Sequence, residues 1–363
     1  MTNRRRFLQL SGASIAVSTL DGCGGAKKIP TEGVPRSSFG EESTAEEVTA
    51  GVDLKDKLAV VTGCTSGIGL ETMRVLALRG AYVVGTSRSL ERAQAACAQV
   101  KGVTSPVQLE LSDFDSIVAC ANAIRNINLP VDMLICNAGI LGGQDKRELV
   151  NGIEKHFAIN HLGHFVLVNR LLGRLYMSSQ GRIVVVASRS AYRNAPEEGI
   201  EFGNLGATYG YEDRRAYGHS KLANVLFSLQ LGKLLKGTRI TSNALHPGVI
   251  NTEIDRNMSR FKQTGFAMLA AMGGTKSVEE GAATSYVATS PLLGSTSGQF
   301  FEDCNAVTVL GDNHLTDAAM AEELWRLSTD LTRDYLVTHT GADLNDYERG
   351  IQKWNADQER AAD

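Results

Sequence analysis

From Leu54 onward, short runs of aliphatic and β-branched residues alternate with stretches whose apolar positions recur at helical spacing. LAVVT at 58–62, YVVGT at 82–86, PVQLEL at 106–111, DMLIC at 132–136 and RIVVVA at 182–187 predict strands. Helices are predicted through Arg79, from Leu90, from Phe114 and from about Val150 to Tyr176. Single helices between strands predict βαβ units and a parallel sheet, and strands apolar on both faces predict helices covering both sides. Beyond a Gly-, Glu- and Tyr-rich insertion at 193–213 come a helix from about Arg215 to Lys236, the strand RITSNALHPG, a helix over about 277–289 and a strand at 298–302. The fold class expected is α/β, a single doubly wound Rossmann-type parallel sheet with a C-terminal helical extension.

Four parts follow: a signal sequence at 1–23, a flexible linker at 24–51, the sheet domain at 52–303 and the extension at 304–363. The linker GGAKKIPTEGVPRSSFGEESTAEEVTAG offers few large apolar side chains to bury. The tail contains LTDAAMAEELWRLSTDLTRDYL, which is amphipathic at helical spacing.

The start of the chain, MTNRRRFLQLSGASIAVSTLDGC, sets Arg4 and Arg5 before Phe7 and Leu8. The weakly apolar run to Leu20 is too short for the roughly 20 residues that span hydrocarbon. It matches the twin-arginine pattern R-R-x-F-L, a receptor-read address. Export by that route is expected, with a cytoplasmic location as the alternative. LDGC resembles a lipoprotein cleavage box, so membrane attachment through a lipidated Cys23 is a further expectation.

Composition adds exclusions. A net charge of −3 and a charged fraction of 21% give no reason to expect a nucleic-acid partner. Six scattered cysteines, without a C-x-x-C pair or clustered histidines, argue against a metal site or disulfide framework and for buried thiols.

Chemistry concentrates at the strand ends. After the first strand, TGCTSGIGLE presents Gly63, Thr65, Ser66, Gly67, Ile68 and Gly69 where a helix opens. Glycines there allow a sharp turn, close approach of backbone to a pyrophosphate and tight helix packing, while the helix N-terminus offers free N–H groups. The second strand ends in Ser87 and Arg88 where an acidic residue would select a ribose 2′-hydroxyl. A guanidinium suits a 2′-phosphate, so NADP(H) is expected before NAD(H). Tyr217 and Lys221 lie four apart in AYGHSKLANVLF, on one helical face. An ammonium beside a phenol favours the phenolate and brings its pKa toward neutrality.

TGCTSGIG, CNAG, INHLGHF, VVVAS, Y-x-x-x-K and HPG, in this order, resemble the short-chain dehydrogenase/reductase superfamily over about residues 54–335. INHLGHF, RAYGHSKLANVLF, NALHPGVINT and GQFFEDC are similar to its retinol dehydrogenase and WW-domain oxidoreductase branch, itself similar to light-dependent protochlorophyllide reductases. The resemblance implies that Tyr217 donates a proton to a carbonyl oxygen as hydride arrives, and that Ser188 hydrogen-bonds the same oxygen. It implies that Lys221 binds the nicotinamide ribose and depresses the Tyr217 pKa, and that Asn160 holds a relay water. Asn137, Ala138 and Gly139 would lie beside the adenosine, and Pro247, Gly248, Val249 and Thr252 beside the nicotinamide amide. Asn137 and Asn160 have bracing of backbone as their alternative. Ser190 is the lesser candidate for the serine, and Glu110, with Leu111, stands where the family has an aspartate near adenine.

The substrate implied is a small lipophilic carbonyl or alcohol, walled by the 189–213 insertion and by Phe261, Phe266, Met268, Leu269 and Met272. His161, His164 and His219 are read as structural. The alternatives are reduction of a tetrapyrrole double bond and a non-catalytic NADP(H)-binding scaffold. A homo-oligomer is compatible with each.

Overall fold

The computed structural model describes residues 26–141, 146–248, 277–278 and 281–336. Nine strands form one sheet in the order β1-β11-β10-β9-β8-β5-β2-β3-β4. Its centre is parallel: β2 (Leu58–Thr62), β3 (Tyr82–Ser87), β4 (Val103–Gln108), β5 (Met133–Cys136), β8 (Gly181–Val186), β9 (Ile240–His246) and β10 (Phe300–Glu302). Between them run α2 (Gly67–Leu78), α3 (Leu90–Gln99), α4 (Phe114–Asn126), α5 (Gly163–Tyr176), the short α6 (Ser190–Arg193), α7 (Asp213–Leu234) and α8 (Ala283–Thr289). Two apolar clusters cover the two faces. One is centred on Leu134, Phe165 and Phe227, the other on Val61, Leu76 and Tyr286. This matches the doubly wound expectation, and β2, β5, β8 and β9 are buried throughout.

The edge departs from the all-parallel expectation. β11 (Asn305–Val309) turns back on β10 through Asp303 and Cys304, at φ 48° and 62°. Two successive left-handed residues make the two-residue hairpin that suits strand twist. The boundary expected at 303/304 therefore falls inside a turn, and the sheet continues to Val309. The extension proper is α9 (Ala318–Thr332), whose Trp325 stacks on Phe227 at 5.9 Å and meets Phe165 edge-on at 5.0 Å.

Residues 26–51 depart too. Instead of a free linker they supply β1 (Lys28–Pro30), antiparallel to β11, and α1 (Ala45–Val48) with a Thr44/Glu47 capping box. Few apolar side chains suffice because three of them are well placed: Ala45 and Val48 are buried, and Phe39 meets Tyr286 edge-on. The long helix expected from Val150 is also broken. Asn151 and Gly152, at φ 50° and 80°, turn β6 (Leu149–Val150) into β7 (Ile153–Glu154). A π-helical segment, Phe157–Leu162, then leads into α5. The expected signal sequence, including Cys23, lies outside the described residues, and no helix among those described is long and apolar enough to cross a membrane.

Candidate active site

A cleft of about 530 Å³ opens at the carboxyl ends of the central strands. One end is the glycine loop. Gly63 turns the chain at φ 71°, and its N–H and that of Cys64 donate to the Thr86 carbonyl. A Cβ on Gly69 would overlap the Gly63 carbonyl and come within 2.5 Å of Asn137 Nδ2, so only glycine lets α2 start this close to the sheet. Ser66 caps α2 without a side-chain hydrogen bond. First-turn N–H groups are thus left for an anion, which fits a dinucleotide pyrophosphate.

Thr65, Ser66, Gly67 and Ile68 line this end with Gly63 and Gly69. Ser87 and Arg88 line it from β3, and Arg92 joins them from the first turn of α3. Glu110 and Leu111 also face the cleft, with Glu110 Oε1 accepting from the N–H and hydroxyl of Ser112. That carboxylate is occupied locally.

The middle of the cleft rests on a polar post. The Thr62 hydroxyl accepts the N–H groups of Asn137 and Ala138, both at 2.9 Å, and lies 3.0 Å from His164 Nε2. His164 Nδ1 donates to the Asn160 carbonyl at 3.1 Å. Burial lowers the His164 pKa to about 4, so the ring is neutral and its Nε2 accepts from Thr62. Asn137 Nδ2 donates to the Thr62 carbonyl at 2.8 Å. Asn137, Ala138 and Gly139 are thereby held along the cleft wall. His164 is structural, as expected, yet it supports the site directly.

Asn160 sits in the π-helical segment, a widening that recurs at functional sites. Its Oδ1 accepts from Ile140 N–H at 2.8 Å, and its Nδ2 donates to the Ile140 carbonyl and Ser220 Oγ. With its carbonyl taken by His164, the residue spends its polar groups on bracing the 137–140 turn against α7. The bracing alternative is what this geometry supports.

At the other end, Tyr217 and Lys221 face the cleft from α7. Tyr217 is half-buried by exposed area, yet its hydroxyl sits deep: burial pushes the pKa up to about 12, and a hydrogen bond with Ser188 draws it partway down. Lys221 Nζ donates to the Val186 carbonyl at 2.9 Å and lies 5.7 Å from the Tyr217 ring centre. Burial lowers its pKa to about 8. The expected depression of the Tyr217 pKa is not what this pocket produces: desolvation sets the direction of the shift, and Ser188, not Lys221, is the group that opposes it. Ser188 is the serine in contact with Tyr217, and Ser190 donates its N–H to Ser188 Oγ at 3.1 Å. Pro247 lines the cleft and Gly248 follows at φ 102°. Val249, Thr252 and the expected apolar wall of Phe261 to Met272 lie outside the described residues.

Sequence reasoning missed several neighbours. Thr62 looks like the last residue of a strand, and its post is visible only once β2 and β5 are adjacent. Lys155 lines the cleft and pairs with Glu148 at 2.6 Å. Buried His156 packs edge-on against Tyr217 at 6.1 Å and donates from Nδ1 to Glu154. The Arg92 signal was present: it follows Ser89, which caps α3, by three residues.

A family model described as short chain dehydrogenase matches residues 57–263. Short-chain dehydrogenase TIC 32 A, chloroplastic, of Brassica napus is 38% identical over 311 residues, covering 82% of this chain and 95% of that protein. Mouse retinol dehydrogenase 11 is 36% identical, covering 78% and 88%, and chicken WW domain-containing oxidoreductase is 35% identical, covering 85% and 75%. Among solved structures, an uncharacterised protein from Mycobacterium paratuberculosis superposes with a TM-score of 0.62 at 29% identity, covering 79% of this chain and 97% of that one. The chain belongs to the short-chain dehydrogenase/reductase superfamily, in its retinol dehydrogenase-like branch, and is an oxidoreductase built on a nicotinamide-binding Rossmann fold.

Proposed function

We propose that this protein transfers hydride between NADP(H) and the carbonyl or alcohol carbon of a lipophilic small molecule. The observation that carries the proposal is one continuous cleft with Ser87, Arg88 and Arg92 at one end and Tyr217 and Lys221 at the other. Two guanidinium groups beside the β3 terminus suit a 2′-phosphate, and Glu110, already engaged by Ser112, does not compete for the ribose. The residues lining this cleft would hold a reduced nicotinamide nucleotide, which when bound would supply the hydride and be oxidised to its cationic form.

In the reducing direction Tyr217 carries a proton at neutral pH and gives it to the carbonyl oxygen. Ser188, which hydrogen-bonds the tyrosine oxygen in the free cleft, turns its single hydroxyl proton to the substrate oxygen as negative charge develops there. Lys221, protonated below about pH 8, stabilises the phenolate left behind. Asn160 holds the turn that forms the neighbouring wall. For location we propose the twin-arginine route, resting on Arg4-Arg5-x-Phe7-Leu8, with Cys23 as the residue to carry a lipid.

NADPH and NADH oxidation by purified protein, screened against retinal, long-chain aldehydes, steroids and quinones, tests the reading. Turnover with NADPH and loss of it in Tyr217→Phe, with NADPH still bound, is the expected result. Activity surviving in Tyr217→Phe would sink the assigned chemistry. Fractionation of an Arg4→Lys/Arg5→Lys variant tests the location, and a distribution identical to wild type discards export.

A further inference from the structure

A second cavity, about 550 Å³, lies at the opposite, amino end of the sheet, between the 37–54 segment, β8 and the end of α8. It shares no lining residue with the active-site cleft. Arg182, the second residue of β8, is on its wall, four residues before Val186; at roughly 3.3 Å per residue that is about 13 Å away.

Arg182 is 8% exposed, and among the described residues its guanidinium makes one long hydrogen bond, from Nη1 to the Val287 carbonyl at 3.4 Å. It forms no ion pair among the described residues. Asp53, the acidic residue on the described wall, accepts the Lys55 N–H instead. A guanidinium carries five N–H donors, and burying one without an anion is costly. Beside it the Tyr286 hydroxyl is buried without a hydrogen-bond partner. The Tyr286 ring is fixed by Phe39, edge-on at 6.0 Å. A guanidinium with one long side-chain bond and an unpartnered hydroxyl therefore line one space. The rest of the wall is largely apolar, with Val48, Leu54 and Leu292.

We propose that this cavity is a binding site for an apolar monocarboxylate, its carboxylate on Arg182 and Tyr286 and its chain along Phe39, Val48 and Leu54. The planar fork of arginine matches a carboxylate in two parallel hydrogen bonds. One buried cation balances a single negative charge, so a phosphate dianion would be left half compensated. A cavity of this volume falls in the range of small-molecule sites and exceeds the need of an inorganic ion. The proposal stands apart from the dehydrogenase reading, since it uses no active-site residue.

The test uses the full chain, with decanoate as the probe and decanol as its neutral counterpart. Calorimetric titration at about pH 8 should give one decanoate site, raise the melting temperature, and persist in Tyr217→Phe. Arg182→Met should weaken decanoate by roughly tenfold or more, the loss expected for a charge-assisted hydrogen bond. Should Arg182→Met fail to fold, Leu292→Glu serves. Leu292 is 53% exposed at the rim, so the substitution is tolerated and sets a repelling carboxylate at the mouth. Equal affinity of wild type for decanol, undiminished decanoate binding in the folded variants, or loss of binding in Tyr217→Phe would overturn the site.

Discussion

Lys221 Nζ donates to the Val186 carbonyl at 2.9 Å, which fixes the ammonium two residues before Ser188 and 5.7 Å from the Tyr217 ring centre. The two ionisable groups of the pair are driven apart by the same burial: the lysine falls to about 8 and the tyrosine rises to about 12. Carbonyl reduction should then hold its rate up to about pH 8 and decline above it, as Lys221 rather than Tyr217 loses its proton. A pH profile of kcat/KM checks this. Lys221→Met should lower kcat roughly a hundredfold and lack the alkaline limb.

The same shift makes a stability prediction for the cofactor-free protein. The folded pKa of Lys221 lies below its unfolded value of 10.5, so between about 8 and 10.5 the unfolded chain binds more protons. Stability rises with pH through that window and is fully gained above the unfolded value. Urea unfolding of wild type against Lys221→Met, at about pH 7.5 and 10.5, should show the difference between them change by on the order of 3 kcal/mol in favour of wild type. A constant difference would place the ammonium in contact with water.

Arg88 and Arg92 both line the cleft beside the end of β3. Arg88→Asp sets a carboxylate where a 2′-phosphate would bind and where a ribose hydroxyl could donate instead. KM for NADPH should rise about tenfold or more and KM for NADH should fall. Equal changes in both would show that Arg88 serves the loop and not the nucleotide.

The central sheet was legible because β2, β5 and β8 are apolar on both faces, and the glycine loop because its spacing sits between a strand and a helix. Other elements left weaker traces. Asn151-Gly152 is a strong hairpin signal, but Leu149–Val150 and Ile153–Glu154 are too short to register as strands. β1 carries Lys28 and Pro30, and it pairs with β11 across more than 270 residues, which no local pattern reveals. Asn160 could be located, but its task could not, because Ile140 and Ser220 meet it only in the folded chain. Charge rules pointed to a lowered Tyr217 pKa, and depth in the cleft reversed the sign.

Gly69 is the position where α2 and the sheet come closest. The overlap of an added Cβ with backbone, the Gly63 carbonyl, leaves no flexible side chain to yield. Gly69→Ala should therefore cost about 1–3 kcal/mol by overpacking and weaken NADPH more than this alone, because the loop must move. Thermal melts read the first effect and nucleotide fluorescence titration the second. A variant with unchanged affinity would mean that the loop relaxes without disturbing the phosphate donors.

Glu302 ties the amino-terminal strand to the active-site insertion. Its carboxylate accepts from Lys28 at 2.6 Å, Arg189 at 2.7 Å and the Tyr192 hydroxyl at 2.9 Å, while only 2% exposed. Burial alone would raise its pKa, but Lys28 and Arg189 outweigh that and hold it below the ordinary value. The stabilisation is present above the unfolded pKa of about 4.5 and is lost as pH falls through the lower folded value. Glu302→Gln leaves two cations facing a neutral amide, and it should cost about 3 kcal/mol at pH 7. The cost should shrink in acid, where wild type loses the same charge. Proteolysis near Lys28 should also quicken, because β1 is held by three ladder residues and this ion pair. Guanidinium melts of both proteins at about pH 7 and pH 3.5 check the sign: a difference that grows in acid would mean Glu302 is already protonated in the native fold.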